Sequence, residues 1–175
     1  MIIRILLLTA GFLYNLVVKG QEVQISKAHL LMRGAISVNH TVREGAGVGL
    51  EMSAISAISE RVFLGLDLSA SKYLESELSA RYALIPTVGL FAQGRRLIFM
   101  INTGVGISID SECTSGFLWC SRYDYFGSVA IPVNMLFGVA IGPVITGIGA
   151  EGLLTPINSV GSLKASMGIL IGGYD

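Results

Sequence analysis

Apolar and polar residues alternate with a period of two along much of the chain, and this pattern predicts β-strands. Over residues 47–54, Val, Leu, Met and Ala alternate with Gly, Glu and Ser. Residues 62–71 show the same alternation, and a turn near residues 59–60 separates the two segments. Each segment therefore has one apolar face and one face of small or acidic residues. Two such neighbours are typical of a β-hairpin.

The same alternation recurs in residues 97–110 and again in residues 163–172 near the end of the chain. Turn residues separate the strands, as in Gln93-Gly94-Arg95 and in the sequence Thr-Pro-Ile-Asn at residues 155–158. The spacing predicts a single domain with about eight strands and no internal linker. The predicted strands cover residues 28–38, 46–56, 61–73, 78–92, 96–110, 125–137, 139–151 and 161–172.

A helical membrane protein is the competing interpretation, because residues 126–150 contain no charged residue. That length is sufficient for a helix to cross a bilayer. However, the segment holds Pro132, Pro143 and five glycines, which is a poor composition for a helix. The regular alternation with Gly, Ser, Asp and Glu also has no helical explanation. The pattern favours strands.

The first 20 residues have the pattern of a cleaved secretory signal peptide. Arg4 supplies a short positive region, and a mostly apolar stretch runs over residues 5–16. This stretch is well short of the ~20 residues that a retained membrane anchor, the alternative, would need. We therefore expect a signal peptide over residues 1–20 and one barrel domain over residues 21–175.

The composition indicates whether the apolar face of the strands points to the barrel interior or to lipid. Only 14% of the residues are charged and 52% are apolar, whereas a soluble domain carries roughly 25% charged residues. The formal net charge of zero argues against a partner nucleic acid, and the apolar content excludes disorder. An apolar face toward lipid with small and polar residues in the interior explains the pattern best. A secreted soluble barrel of the lipocalin kind, with a bound ligand, remains the alternative.

We therefore predict an all-β protein, a single closed antiparallel up-and-down transmembrane β-barrel of about eight strands. The stretch YFGSVAIPVNML from Tyr125, followed by GPVITGIGAEG from Gly142, resembles the small Gram-negative outer-membrane β-barrel domain family. Gly20-Gln21 after the apolar start is similar to that group as well. The resemblance covers residues 21–175 and implies a porin-like barrel in the Gram-negative outer membrane, with membrane lipid as its surroundings.

Six charged residues fall on the face opposite the apolar one, three positive and three negative. In the narrow interior of an eight-stranded barrel they would meet at close range, where an unpaired charge is costly. We interpret them as a salt-bridged plug of the interior. A polar conduit or ligand site, and with it a small solute channel, is the alternative. The six residues are Arg33, Glu51, Asp67, Arg81, Glu151 and Lys164.

Cys113 and Cys120 lie in the longest stretch without periodicity, residues 111–124. In an exported protein we expect them to form one disulfide that closes a surface loop. A zinc site would need two more ligands, and free thiols remain the alternative in a reducing compartment. The aromatic residues Phe117, Trp119 and Tyr123 predict contact with a surface ligand or partner protein, or else anchoring at the membrane interface.

No arrangement of nucleophile, base and acid at a diagnostic spacing points to catalysis. We therefore expect neither an enzyme nor a cofactor or metal. A structural, adhesive or binding role carried by the surface loops is the function that the sequence favours.

Overall fold

The computed structural model describes residues 30–41, 45–74, 78–94, 96–115, 122–156 and 159–171. All regular secondary structure in these ranges is β-strand, and none of their residues belongs to a helix with the length and hydrophobicity of a membrane span. The strands are β1 (Leu30–Thr41), β2 (Gly45–Ala57), β3 (Val62–Tyr73), β4 (Leu78–Gln93), β5 (Leu97–Gly104), β6 (Gly106–Ser115), β7 (Arg122–Ile141), β8 (Val144–Leu154) and β9 (Val160–Ile171).

The strands form one closed antiparallel barrel. β1 pairs with β2 on one side and with β9 on the other, so the first and last strands complete the ring. β5 and β6 are two halves of one strand, interrupted at Val105, because both pair with β4 and with β7. The barrel therefore has eight strands. This confirms the fold predicted from the alternating pattern.

Two glycines explain the interruption at Val105. A Cβ atom on Gly104 would lie 2.1 Å from the carbonyl oxygen of Pro86 in β4, and one on Gly106 would lie 2.3 Å from that of Leu84. Only glycine permits strands to approach this closely. The two glycines therefore let β5 and β6 approach the backbone of β4 closely.

The two faces of the strands alternate as the sequence predicts. In β1, Ile36 and Val38 point outward and are 66% and 63% exposed, whereas Arg33 and Asn39 point inward and are buried. Large apolar side chains cover the outside in every strand except at the rims. In water this surface would be unfavourable, but in a bilayer it contacts lipid hydrocarbon.

One end of the barrel, called here the end near the short turns, holds the β2–β3, β4–β5 and β7–β8 connections together with Leu30 and Ile171. The connection from β7 to β8 is only Gly142-Pro143, with Gly142 at φ 58°. A positive φ at the first of two central residues suits the hairpin turn in which glycine precedes another residue. The prediction placed this turn near residue 138, but β7 continues to Ile141 because Gly142 and Pro143 supply the turn geometry.

The interior is layered, and part of this layering differs from the sequence-based expectation. Small residues and charges were predicted throughout the interior, yet apolar side chains fill the end near the short turns. A smaller apolar cluster with Tyr73, Leu153 and Val160 lies toward the opposite rim. Polar and charged residues occupy the space between the two. The larger apolar cluster contains Leu31, Ile55, Phe63, Phe91, Ile98, Met100, Leu136, Ala140, Ile145 and Leu170.

Three predicted features lie outside the described residues. The signal peptide over residues 1–20 is one of them. The loop residues Phe117 and Trp119 are another. The disulfide is the third, because Cys120 and the side chain of Cys113 fall outside the described set, so the pairing stays a prediction.

Candidate functional site

The six charged residues singled out from the sequence all lie in strands and point into the barrel. Arg33, Glu51, Asp67, Arg81 and Lys164 are each at least nine-tenths buried, and Glu151 is only partly exposed. They come from six different strands: β1, β2, β3, β4, β8 and β9. Period-two alternation is therefore sufficient to place these side chains on the inner face.

Glu51 is the centre of the interior network. It accepts a hydrogen bond from Arg33 at 2.6 Å and another from the Lys164 ammonium group. Ala35 lies opposite Glu51, and Ser37 lies opposite Lys164. Because these β1 side chains are small, the long side chains from β2 and β9 meet above them.

Lys164 extends the network to the far side of the barrel. Its ammonium group also donates to Glu151 and, at 3.2 Å, to the amide oxygen of Asn134. Arg33 donates a second hydrogen bond to Ser53 at 2.8 Å. The network thus links β1, β2, β7, β8 and β9, with each charge paired to its opposite. Removing one partner from such a buried pair is strongly destabilising.

Arg81 is not part of this network. Its guanidinium group forms a two-point ion pair with Asp110 in β6, in which the Nη2–Oδ2 distance is 3.2 Å. The Tyr73 ring lies 6.0 Å from the guanidinium carbon, near the limit for a cation–π contact. Asp110 was missed as a member of the charged set. The alternation over residues 97–110 does place it on the inner face, and that signal could have found it.

Asp67 differs from the other five residues. Its Oδ2 accepts a hydrogen bond from the amide nitrogen of Asn102 at 3.3 Å, and no ion pair involves it among the described residues. The structure therefore brings together four of the six, Arg33, Glu51, Glu151 and Lys164. Arg81 is paired elsewhere, and Asp67 is held by a neutral side chain.

Outward aromatic side chains form two groups, both on the side of the barrel made by β4, β5 and β7. Phe99 and Phe137 face each other across β5 and β7 near the short turns. Tyr82, Tyr123 and Tyr125 lie outward near the opposite rim, each at least 44% exposed. Phe137 lies twelve positions after Tyr125 in β7. At ~3.3 Å per residue and a tilt of ~40°, the two groups are about 30 Å apart, slightly more than the ~25 Å apolar band of a membrane barrel.

The hairpin of β6 and β7 extends beyond β8 on one side, whereas β4 on the other side accompanies it as far as Glu112. β8 ends at Leu154, which is opposite Ile131, so residues 122–130 of β7 pair only with β6. On this extension the rings of Tyr123 and Tyr125 lie 6.5 Å apart, and Phe126 is 45% exposed. Tyr123, one of the three residues predicted to contact a ligand or partner, is therefore exposed on this extension, which we call the arm.

Known structures resemble this one closely in fold and only weakly in sequence. Neisserial surface protein A (NspA) matches with a TM-score of 0.69 and 12% identity, over 82% of this chain and 98% of NspA. The attachment invasion locus protein Ail of Yersinia pestis matches with a TM-score of 0.54 and 9% identity, over 80% and 95%. The N-terminal β-barrel domain of OprF of Pseudomonas aeruginosa gives 0.55 and 7%, over 81% and 97%.

The chain has the fold of the small Gram-negative outer-membrane barrels. No protein-family model matches the sequence, and no curated protein matches it either. The resemblance inferred from Tyr125 onward is thus supported at the level of fold. These similarities do not extend to an activity, because identities of this size carry no information on individual side chains.

Proposed function

We propose that this protein resides in the Gram-negative outer membrane as a closed, non-conducting barrel that presents a binding arm at the cell surface. The carrying observation is the combination of an apolar exterior and an interior in which most of the described buried charges are paired. A soluble lipocalin-like barrel would instead bury its apolar face and expose charge. The proposed role is structural, adhesive or binding, without catalysis.

The interior supports a closed barrel for two reasons. Ten apolar side chains fill the end near the short turns, and the ion pairs around Glu51 and Lys164 occupy the middle. An eight-stranded barrel has an interior that side chains just fill. No observation favours the alternative of a solute channel.

The arm is the extension of β6 and β7 that carries Tyr123, Tyr125 and Phe126. Exposed tyrosines provide large contact areas at a small entropic cost, and they are common at binding sites. Ail has been crystallised with a heparin analogue, sucrose octasulfate. We do not propose such a ligand here, because charges at the described rim balance. Lys72 and Arg122 lie there with Glu112 and Asp124.

Cysteine labelling of intact cells tests the location and the orientation together. A Cys introduced at Asp124, on the arm, should react with a membrane-impermeant maleimide. A Cys introduced at Ser59, in the turn between β2 and β3, should react only after lysis. Cells expressing the unchanged chain measure the background from Cys113 and Cys120. Recovery of the protein in the culture medium, or equal labelling at both sites, would contradict the proposal.

A second experiment tests the arm as a binding surface. Bacteria that express the double variant Tyr123→Ser/Tyr125→Ser should adhere less to epithelial cells than bacteria that express the unchanged chain. Tyr82→Ser is the control, because Tyr82 is also an outward tyrosine near the rim but lies on β4. Equal adherence of all three strains would show that Tyr123 and Tyr125 do not contribute to binding.

A further inference from the structure

One edge of β7 on the arm pairs with no other strand among the described residues. β8 reaches only Leu154, opposite Ile131, whereas β6 accompanies the other side of β7 as far as Arg122. The backbone hydrogen bonds between the remaining described segments do not involve residues 123–128. We call this side of residues 123–128 the open edge.

Two hydrogen bonds show which backbone groups of β7 point to the open edge. The Thr103 hydroxyl group donates to the carbonyl oxygen of Pro132 at 2.7 Å, and the Ala140 amide donates to the carbonyl oxygen of Arg96 at 2.8 Å. Even-numbered residues of β7 thus direct their N–H and C=O groups toward β5 and β6, because both groups of a strand residue point to one side. The register is continuous over residues 123–139. The odd-numbered residues of the arm therefore point to the open edge; they are Tyr123, Tyr125 and Gly127.

The other connections at this end of the barrel are too short to cover the open edge. The connection from β8 to β9 lies beside it, but it has only five residues, 155–159, and must return from Leu154 to Val160. The β1–β2 and β3–β4 connections have three and four residues, and the six residues between β6 and β7 close the arm itself. A strand that covers the open edge must therefore come from a partner.

The residues of the open edge favour pairing with another strand. Natural edge strands are commonly protected by Pro, by Lys or by a bulge. Residues 123–128 contain neither Pro nor Lys, and their register against β6 is regular. Three of the six residues are Tyr or Phe, which favour strands. A row of N–H and C=O groups at this spacing is complementary to the backbone of another extended chain.

We propose that the open edge binds an extended segment of a partner protein as an added antiparallel strand. This inference rests on the proposed function, since it takes the arm as the binding surface and states how the arm binds. The added strand occupies the position that a longer β8 would take, and β8 is antiparallel to β7. Two copies in one membrane direct their β7 strands the same way, so their open edges do not form an antiparallel pair.

The side chains beside the open edge indicate which segment fits best. A Cβ on Gly127 would have no atom within 4 Å beyond its chain neighbours, so an aromatic side chain of the added strand can lie over this position. Tyr123 and Tyr125 favour β-branched residues opposite them. On the other face, Asp124 lies opposite Glu112 of β6, and a Lys opposite Asp124 would relieve the repulsion between the two carboxylates.

Amide hydrogen exchange of the refolded full chain in detergent, followed by NMR, tests the open edge. In the free protein, the amides of Tyr123, Tyr125 and Gly127 should exchange roughly tenfold faster or more than those of Asp124 and Phe126, which point to β6. The probe is the synthetic peptide TVTFTVKVE, whose Phe lies opposite Gly127 and whose Lys lies opposite Asp124 in the antiparallel arrangement. Its addition should slow the exchange of the three open-edge amides.

Two N-methylated forms of the peptide are the matched controls, because methylation removes amide donors and leaves the side chains unchanged. Methylation of the Phe and of the Val before Lys, whose amides face β7, should abolish the protection. Methylation of the two Thr residues beside Phe, whose amides face away, should retain it. Equal protection by all three peptides would overturn the proposal. So would open-edge amides that are already protected before any peptide is added.

A pair of variants at one position carries the test to intact bacteria. Gly127→Pro removes one amide donor from the open edge, whereas Gly127→Ala keeps the donor and adds a methyl group in empty space. Pro is tolerated on edge strands, and its loss of one hydrogen bond should weaken binding of the peptide by about fivefold. At equal amounts in the outer membrane, the Pro variant should adhere less to epithelial cells than the Ala variant.

The outcome separates this inference from the proposed function. If both Gly127 variants adhere equally while Tyr123→Ser/Tyr125→Ser adheres less, the arm binds through its side chains, and only the added strand is refuted. Clumping of the bacteria without epithelial cells, lost in Gly127→Pro, would identify a second copy on another cell as the occupant and would also contradict the proposal.

Discussion

Glu51 offers the most direct test of the interior network, since both Arg33 and Lys164 form ion pairs with its carboxylate. The variant Glu51→Gln keeps the shape of the side chain and removes the charge. Arg33 then loses its carboxylate partner and keeps only the Ser53 hydroxyl, whereas Lys164 still has Glu151 and Asn134. Breaking a buried ion pair costs about 3–5 kcal/mol. Because Lys164 retains partners, we expect a loss near the lower end, about 3 kcal/mol.

Urea unfolding in lipid vesicles, followed by circular dichroism, measures this loss as a change in the free energy of unfolding. The matched control is Glu60→Gln. Glu60 is an exposed carboxylate in the turn before β3, and its replacement should cost less than about 0.5 kcal/mol. A loss for Glu51→Gln as small as that of the control would refute the reasoning, because the network would then contribute no stability.

A double-mutant cycle separates the ion pair from other effects of the substitution. Adding Arg33→Met to Glu51→Gln should cost less than the sum of the single changes, with a coupling of about 1–3 kcal/mol. Arg81→Met combined with Glu51→Gln should be nearly additive, because Arg81 pairs with Asp110 instead. Coupling of the same size in both cycles would show a general effect of altered charge.

The remaining predictions concern the lipid face, the lumen and the cysteines. Ile36→Arg, midway along β1, should cost about 2–4 kcal/mol, whereas His40→Arg near the rim of the same strand should cost about 0–1 kcal/mol; equal costs in vesicle unfolding would argue against a membrane belt. The unchanged protein should be silent in planar-bilayer recording, and Phe91→Ser in the apolar layer is the variant expected to raise leakage; stable wild-type openings would contradict this. Alkylation without reductant followed by mass spectrometry should leave Cys113 and Cys120 unmodified, and modification of both would exclude the disulfide.

The barrel exterior was predictable because the side chains of a strand alternate strictly between its two faces. Residues 97–110 show this best: Ile101 and Ile107 point outward while Asn102, Ser108 and Asp110 are buried. An error of one residue would exchange the faces, but the alternation from Ile101 to Asp110 fixes the register. The strand that ends at Ile141 was predicted less well, because the apolar run hides its end and only the Gly142-Pro143 turn determines it.

The partners in the interior were not predictable from the pattern. Alternation assigns a face to each residue, but the stagger between strands decides which side chains meet. Glu51 and Lys164 belong to strands separated by β1, and they meet because small side chains lie between them. The pairing of Arg81 with Asp110 likewise depends on the register of β4 and β6.

The sequence by itself therefore determined the class of the protein: strands with a period of two, a lipid-facing side and a polar inner side, in a chain long enough for about eight strands. These follow from local backbone geometry and from the cost of exposing charge to hydrocarbon. Only the tertiary structure decided the contents of the barrel. Closure of β1 on β9 brings residues more than a hundred positions apart, such as Glu51 and Lys164, into one network. It also leaves Asp67 without a charge partner among the described residues, because the stagger of the strands directs each interior cation to another carboxylate.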